Sequence, residues 1–317
     1  MKIFYHGDMD GIVSAAILLD KIIPKNTTKD NSSIYEFDYN NQTMLEDLDY
    51  DRRENVYFVD CSPDKTLLDD IIEWSGRVFI IDHHISKKEM LEEYYEENLI
   101  DGMFYNGASA SLITYCWARM IVTGENTIQE VKDFLDWFSI SRENQEKSDI
   151  PLSIKLVNSW DIWNGLYIDA EPFKIAFESK GLRPQDKAVI KILSDNRNVT
   201  NTITEGYIMQ KQIQSWAETF MQRYGYEVEF EGNKFFVANL GNGNSKYFGD
   251  RINDYDAVIT YCYNGSLWTF SIYSNADKDF DCSIFATRFN GGGHKKAAGF
   301  RMKDFPNWLK PTKEGSE

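Results

Sequence analysis

The run Val78-Phe79-Ile80-Ile81 passes directly into Asp82-His83-His84. Four apolar residues, β-branched or aromatic, have the composition of a buried strand. An acid and two imidazoles at its end serve no packing purpose. In open parallel sheets, ligands sit just beyond the carboxyl ends of the strands. The run therefore points to a buried strand with a polar site at its end. The chain has four histidines in 317 residues, and two of them are here.

Other segments repeat the pattern. Lys2-Ile3-Phe4-Tyr5-His6 reads as a first strand, Gly7-Asp8-Met9-Asp10-Gly11 as a turn, and Ile12 to Leu19 as a buried helix. Alternate side chains of an extended segment share a face, so His6, Asp8 and Asp10 are expected to point one way. The two glycines are expected to let the backbone bend tightly. Pro24 to Ser33 reads as a polar loop, Ile34 to Asp38 as a second strand, and Val56 to Asp60 as a third that ends in an acid. Residues 64–74 read as a helix. Three strand candidates ending in His or Asp suggest one shared rim.

Asn106 to Ser111 is rich in small residues and opens a helix from Leu112 to Val122. Such a start is either an anion cradle or an ordinary cap. Residues 128–139 read as a helix and 141–148 as a charged loop. Ser153 to Val157 leads to Ser159-Trp160-Asp161-Ile162-Trp163, where an acid sits between two tryptophans. The polar stretch from Gln185 to Asn201 marks a domain boundary. The expected division is a first domain at 1–190, a linker at 191–202 and a second domain at 203–317. The second domain reads as a long helix at 203–223, strands at 226–231, 234–240, 257–263 and 267–273, and a short helix at 284–289. Asn264-Gly265 is a hairpin signal. Gly291-Gly292-Gly293 offers backbone N–H groups, and His294, Lys295 and Lys296 add positive charge, which together suggest an anion site. No Gly-Lys-Ser/Thr follows, so this is not a Walker A loop.

Composition narrows the function. The net charge of -16 argues against a long grip on duplex nucleic acid, which rests on Lys and Arg. A short anionic substrate held by metal ions remains compatible. The four cysteines are scattered without a CxxC pair, as expected of reduced thiols in a cytoplasmic protein. No basic-then-apolar leader and no membrane-spanning apolar run is read, so no membrane partner is expected.

The collected strand-end groups are His6, Asp8, Asp10, Asp60, Asp82, His83 and His84, with Asp161 as a further candidate. Carboxylates packed together repel and raise each other's pKa unless cations sit among them. Oxygen and imidazole donors suit Mn²⁺, Fe²⁺ or Zn²⁺ better than Cu⁺ or Ca²⁺. Six or more ligands are too many for one ion and enough for two that share a carboxylate.

These residues resemble the DHH phosphoesterase superfamily, in its two-domain, oligoribonuclease-like DHH/DHHA1 branch. His6-Gly7-Asp8-Met9-Asp10-Gly11 is similar to the first motif, Asp60 to the second, Asp82-His83-His84 to the third and Asp161 to the fourth. Gly291 to Gly299 is similar to the glycine-rich DHHA1 motif. The resemblance implies an α/β fold: a doubly wound parallel N-terminal sheet with helices on both faces, and a smaller α+β C-terminal domain. It implies two Mn²⁺ ions, one held by His6 and Asp8, the other by Asp10, His83 and Asp161, with Asp60 bridging. Asp82 would orient the histidine pair, and His84 would touch the scissile phosphate. Gly291, Gly292, Gly293 and His294 would hold a terminal phosphate or nucleotide. In one respect the chain departs from the branch: Ser271-Ile272-Tyr273-Ser274 has Tyr where a phosphate-gripping Arg is often found. Arg288 is the expected substitute.

The expected activity is in-line attack by a metal-bridging hydroxide on phosphodiesters of short oligonucleotides or small nucleotides. Rival expectations are hydrolysis of pyrophosphate or polyphosphate, and a non-catalytic nucleotide sensor. A homodimer is compatible with all three.

Overall fold

Apolar runs become parallel strands where helices can bury both faces of a sheet. The computed structural model describes residues 1–23, 33–39, 42–45, 48–51, 53–241 and 245–311. They form two units, Met1–Met209 and Gln210–Glu317. In the first unit, β1 (Lys2–His6), β2 (Ile34–Phe37), β3 (Val56–Val59), β4 (Val78–Asp82) and β5 (Asp101–Phe104) make a five-stranded sheet. Every neighbouring pair in it is parallel.

Side-chain alternation separates the two faces. Ile3, Tyr57, Val59, Ile81 and Met103 join one core, packed by α1 (Met9–Lys21), α4 (Ala110–Thr123), α5 (Ile128–Ser139), α7 (Leu152–Asp161), α8 (Ala170–Ser179) and α9 (Lys187–Ser194). Phe4, Val56, Phe58, Val78 and Ile80 join the other, against α2 (Lys65–Trp74) and α3 (Lys88–Glu96). This is the expected doubly wound arrangement. The strand order β2-β1-β3-β4-β5 reverses direction between β1 and β3. Such a reversal opens a crevice at the carboxyl ends of the two strands. His6 ends β1, and Asp60 immediately follows β3.

The second unit holds a mixed six-stranded sheet, ordered β10-β11-β9-β8-β7-β6. Its strands are β6 (Gly225–Phe230), β7 (Asn233–Ala238), β8 (Ala257–Tyr263), β9 (Trp268–Tyr273), β10 (Gly292–His294) and β11 (Ala297–Met302). One face carries Phe235, Phe270, Ile272 and Phe300, covered by α11 (Cys282–Thr287). The Phe270 and Phe300 rings stack with centroids 4.8 Å apart. Much of the aromatic content of this unit is therefore core. All four cysteines are free thiols.

Several expectations need correction. Met9 to Gly11 is not a turn; α1 starts at Met9 with Asp8 as its N-cap. Residues 142–147 form the helix α6 (Arg142–Lys147) instead of a loop, because Ser141 caps it and Arg142–Glu146 and Glu143–Lys147 pair at helical spacing. Residues 191–194 end α9 and residues 196–202 open the 29-residue α10 (Asn196–Tyr224), so that stretch is helical on both sides of an extended Asp195. Val189, Ile192, Leu193 and Val199 anchor it on the first unit's core. Of the loop expected from Pro24 to Ser33, residues 24–32 lie outside the described residues.

Gly11 fixes the start of α1 against β1. A Cβ there would lie 2.1 Å from the His6 carbonyl oxygen. That contact is with backbone, which cannot swing away. Gly11→Ala is expected to destabilise the protein by about 1–3 kcal/mol, the usual range for overpacking. Urea denaturation of the two proteins measures it.

Candidate metal centre

Three strand ends and two helix ends build the site. β1 delivers His6. Asp8, the next residue but one, caps α1 by accepting a hydrogen bond from the Gly11 amide at 3.0 Å. Asp10 lies in the first turn of α1 and is 2% exposed. Asp60 leaves β3 with a left-handed φ of 59°. Its amide still donates to the Ile81 carbonyl at 2.9 Å, so the bend is pinned to β4. A positive φ is uncommon outside glycine, though Asp tolerates it better than bulkier residues. Asp82 and His83 come from the end of β4, and Asp161 is the last residue of α7.

These side chains meet. His6 Nδ1 lies 3.1 Å from Asp8 Oδ2 and 3.7 Å from Asp60 Oδ2. His83 Nε2 lies 3.2 Å from Asp60 Oδ1 and 3.5 Å from Asp161 Oδ2. Three overlapping sets have ligand atoms all within 4.8 Å of one another: His6, Asp8 and Asp60; Asp10, His83 and Asp161; Asp60, His83 and His84. Four acids and three imidazoles from distant parts of the sequence thus converge.

The electrostatics describe a cage that wants positive charge. Both Asp60 carboxylate oxygens, and Oδ2 of Asp161, are buried and receive no hydrogen bond. An orphaned buried carboxylate is costly unless a cation reaches it. Burial raises the Asp10 carboxyl well above the usual range, and Asp161 and Asp60 push it further. Burial also raises Asp161 to about 6, with His83 working against it and Asp60 adding to it. Asp60, then Asp8, raise the His6 imidazole to about 10. Burial would lower His83, but Asp60, Asp10 and Asp161 outweigh it and raise the ring to about 10. Protons can therefore stand in where divalent ions would sit. Orphaned oxygens beside imidazole nitrogens are the donor set of a borderline or hard divalent ion.

A similar fold is found in a solved DHH domain, described as coming from a member of a family of ribosomal proteins. It is 16% identical, with a TM-score of 0.50, over 94% of this chain and 81% of that one. The chain has the DHH fold. Looser likeness is found to a pGpG-specific phosphodiesterase from Vibrio cholerae (14% identity, TM-score 0.43, 95% of this chain and 93% of that one). An uncharacterized protein from Helicobacter pylori is looser still (15% identity, TM-score 0.38, 96% and 94%). Neither a family model nor a curated protein matches the chain.

In this DHH fold the acid of the Asp82-His83-His84 triplet does not face the ligand sets. Asp82 is fully buried. Its Oδ1 accepts from the His83 amide at 2.7 Å and the His84 amide at 3.1 Å. It also lies 2.7 Å from His84 Nδ1, while Oδ2 accepts from Ser62 Oγ at 2.5 Å. Burial acts to raise Asp82, but these hydrogen bonds hold it below its ordinary value. Asp82 therefore fixes the turn of both histidines but the ring of His84 alone. The Asp82 carboxylate raises the His84 imidazole.

Asp10 has a second task that the sequence does not disclose. Its carboxylate accepts from the Ala110 amide at 2.7 Å and the Ser111 amide at 3.0 Å. The helix start suspected as an anion cradle does hold a carboxyl group, and it is the protein's own. Ser109 caps the same helix, and Asn158 accepts from the Ser109 amide at 2.8 Å. Ser62, Asn158 and Tyr39 are site neighbours that sequence reasoning missed. Ser62 sits two residues after Asp60 and Asn158 three before Asp161, the only sequence signals for either. The Tyr39 ring approaches both His6 and His84, at 6.1 and 6.2 Å. Buried Cys61, between Asp60 and Ser62, stays a thiol because burial, then Asp82 and Asp60, raise it far above its ordinary value.

The remaining expected residues belong to the second unit. Arg288 is not available as the expected phosphate grip: both its terminal nitrogens bind the Glu231 carboxylate, at 2.7 and 2.6 Å. The glycine run is no open loop either. Gly291 N–H donates to the Ala286 carbonyl, and Gly292, Gly293 and His294 pair with β11. Gly293 has a φ of 144°, and a Cβ there would strike Ala298. His294 is exposed.

Two outcomes follow for variants. Asp10→Ala strands two buried helix amides and is expected to cost about 1–3 kcal/mol for each in denaturant unfolding. Asp60→Ala removes an orphaned carboxylate, so the metal-free variant is expected to melt no earlier than the parent. Mn²⁺ should raise the melting temperature of the parent and not of Asp60→Ala, as read by thermal scans with Mn²⁺ and with EDTA.

Proposed function

We propose that this chain is a divalent-metal-dependent phosphodiesterase acting on short oligonucleotides or small nucleotides. The observation that carries the reading is the Asp60 carboxylate. One oxygen faces His6 and the other faces His83, and neither has a hydrogen bond. That is the disposition of a carboxylate shared by two cations. His6 and Asp8 would hold one ion, and Asp10, His83 and Asp161 the other, with Mn²⁺ favoured by the mixed oxygen and imidazole donors. Paired ions of this kind polarise phosphoryl oxygens and lower the pKa of water between them.

The chain's own residues supply orientation and a proton. With Nδ1 hydrogen-bonded to Asp82, His84 presents Nε2 as its free nitrogen. Its side chain is 37% exposed, so a phosphate can reach it. The hydrogen bond to Asp82 favours the protonated imidazole, which can offer that proton to a phosphoryl or leaving-group oxygen. Asp82 positions that ring and takes no part in ligand binding. The acidic chain disfavours long polyanions, which agrees with a short substrate. Among the described residues, no helix is long and apolar enough to cross a membrane.

A panel of dinucleotides, cyclic dinucleotides, 3′,5′-bisphosphate nucleotides, pyrophosphate and polyphosphate, assayed with Mn²⁺, tests the reading. Turnover of a dinucleotide without turnover of polyphosphate is expected; the reverse pattern would replace phosphodiester with phosphoanhydride hydrolysis. Nucleotide binding with no turnover of anything would make the chain a sensor. Asp60→Ala is expected to abolish turnover. His84→Ala is expected to lower kcat by about 10²–10⁴, the usual worth of a general acid.

A further inference from the structure

A cavity of about 480 Å³ opens in the first unit beside Gly7 and Asp8. Its apolar wall is Ile12, Phe177 and Leu182, and its polar groups include Glu36 and Arg183. Two of these polar groups are uncommitted. Among the described residues, the Arg183 guanidinium has no carboxylate partner, although its amide is pinned to Asp186 at 2.8 Å. The Glu36 carboxylate lies against the Gly7 backbone and has no ion-pair partner there. Glu178, also on the wall, is already held by Lys174 at 2.7 Å.

We propose that this cavity seats the nucleoside part of the substrate, next to the phosphate held at the metal centre. The assignment rests on the phosphodiesterase reading and names the group that lies beside its scissile bond. The size suits one nucleoside, since small-molecule sites run from about 300 to 1,000 Å³. The chemistry suits it too. A nucleoside is uncharged, with flat apolar faces for Ile12, Phe177 and Leu182. Its rim carries N–H and O–H donors for Glu36 and ring-nitrogen or carbonyl acceptors for Arg183. A continuing phosphate chain would instead meet Glu36 and Asp8 against a single free guanidinium, so the cavity selects against polyphosphate.

The test titrates adenosine and guanosine into the Mn²⁺-loaded full chain by calorimetry, with pyrophosphate as the contrasting probe. Leu182→Trp fills the cavity, and Arg183→Ala removes an exposed donor without disturbing the core. Nucleoside affinity is expected to fall at least tenfold in Leu182→Trp and several-fold in Arg183→Ala, while pyrophosphate affinity shifts less than twofold. Arg183→Ala alone decides the matter if Leu182→Trp fails to fold. Nucleoside binding that is absent, or equal in parent and variants, overturns the assignment. So does a loss of pyrophosphate affinity that matches the loss for nucleosides. A parent chain that binds guanosine in this way but hydrolyses no phosphodiester keeps the cavity assignment and loses the phosphodiesterase reading. Dinucleotide turnover whose kcat/KM, relative to a base-free phosphodiester, is the same in parent and variants does the opposite.

Discussion

The Asp60 carboxylate is held out of water at the reversal point of the sheet, with no donor of its own. Everything near it answers that burial. Because β1 and β3 are neighbours, His6 and Asp60 leave the sheet side by side, and β4 adds the two histidines from the next position. The interior that makes a lone carboxylate costly also strengthens its attraction for a cation, because opposite charges interact more strongly at low dielectric. A single geometry is therefore poor for an empty cage and good for a filled one. Asp10 carries the logic into the core, since the carboxylate that faces the cage also holds the first amides of α4.

Much of this was legible because chemistry stood out against pattern. His6, Asp60 and Asp82 end apolar strands, where packing alone would place nothing charged. Asp161 was marked locally only as an acid between two tryptophans, and its place in the set came through order and resemblance, since it ends a helix and not a strand. The double role of Asp10 was not legible at all: its hydrogen-bond partner Ala110 lies a hundred residues away. The extended reading of Asp8 to Asp10 failed because Asp8 is itself a helix cap. Charge misled elsewhere. α6 read as loop because its six residues carry little apolar signal, and i,i+4 ion pairs support it instead. α3 buries only Leu91 and Tyr94, too few to show a period.

The second unit shows how a motif can be present while its residues are committed. The glycine run was read for its free amides, yet Gly291 and Gly293 lie too close to Phe300, Gly299 and Ala298 for a side chain, and Gly292 and Gly293 pair with β11. Arg288 was read as a phosphate grip, yet a bidentate pair with Glu231 uses both ends of its guanidinium. Composition alone could not tell a waiting donor from a satisfied one. Arg183, a cation with no carboxylate partner among the described residues, lies in the first unit just before the polar stretch that the sequence marked as a boundary.

Gly11 has a consequence for kinetics. With its Cα lodged on the His6 carbonyl, the two-residue bend through Gly7 and Asp8 has no slack between strand and helix. The first two ligand groups are set by the same contact that holds the core together. An ion bound there would find these two groups already in place, with no loop to order between them. What would remain is for the ion to shed its own hydration water.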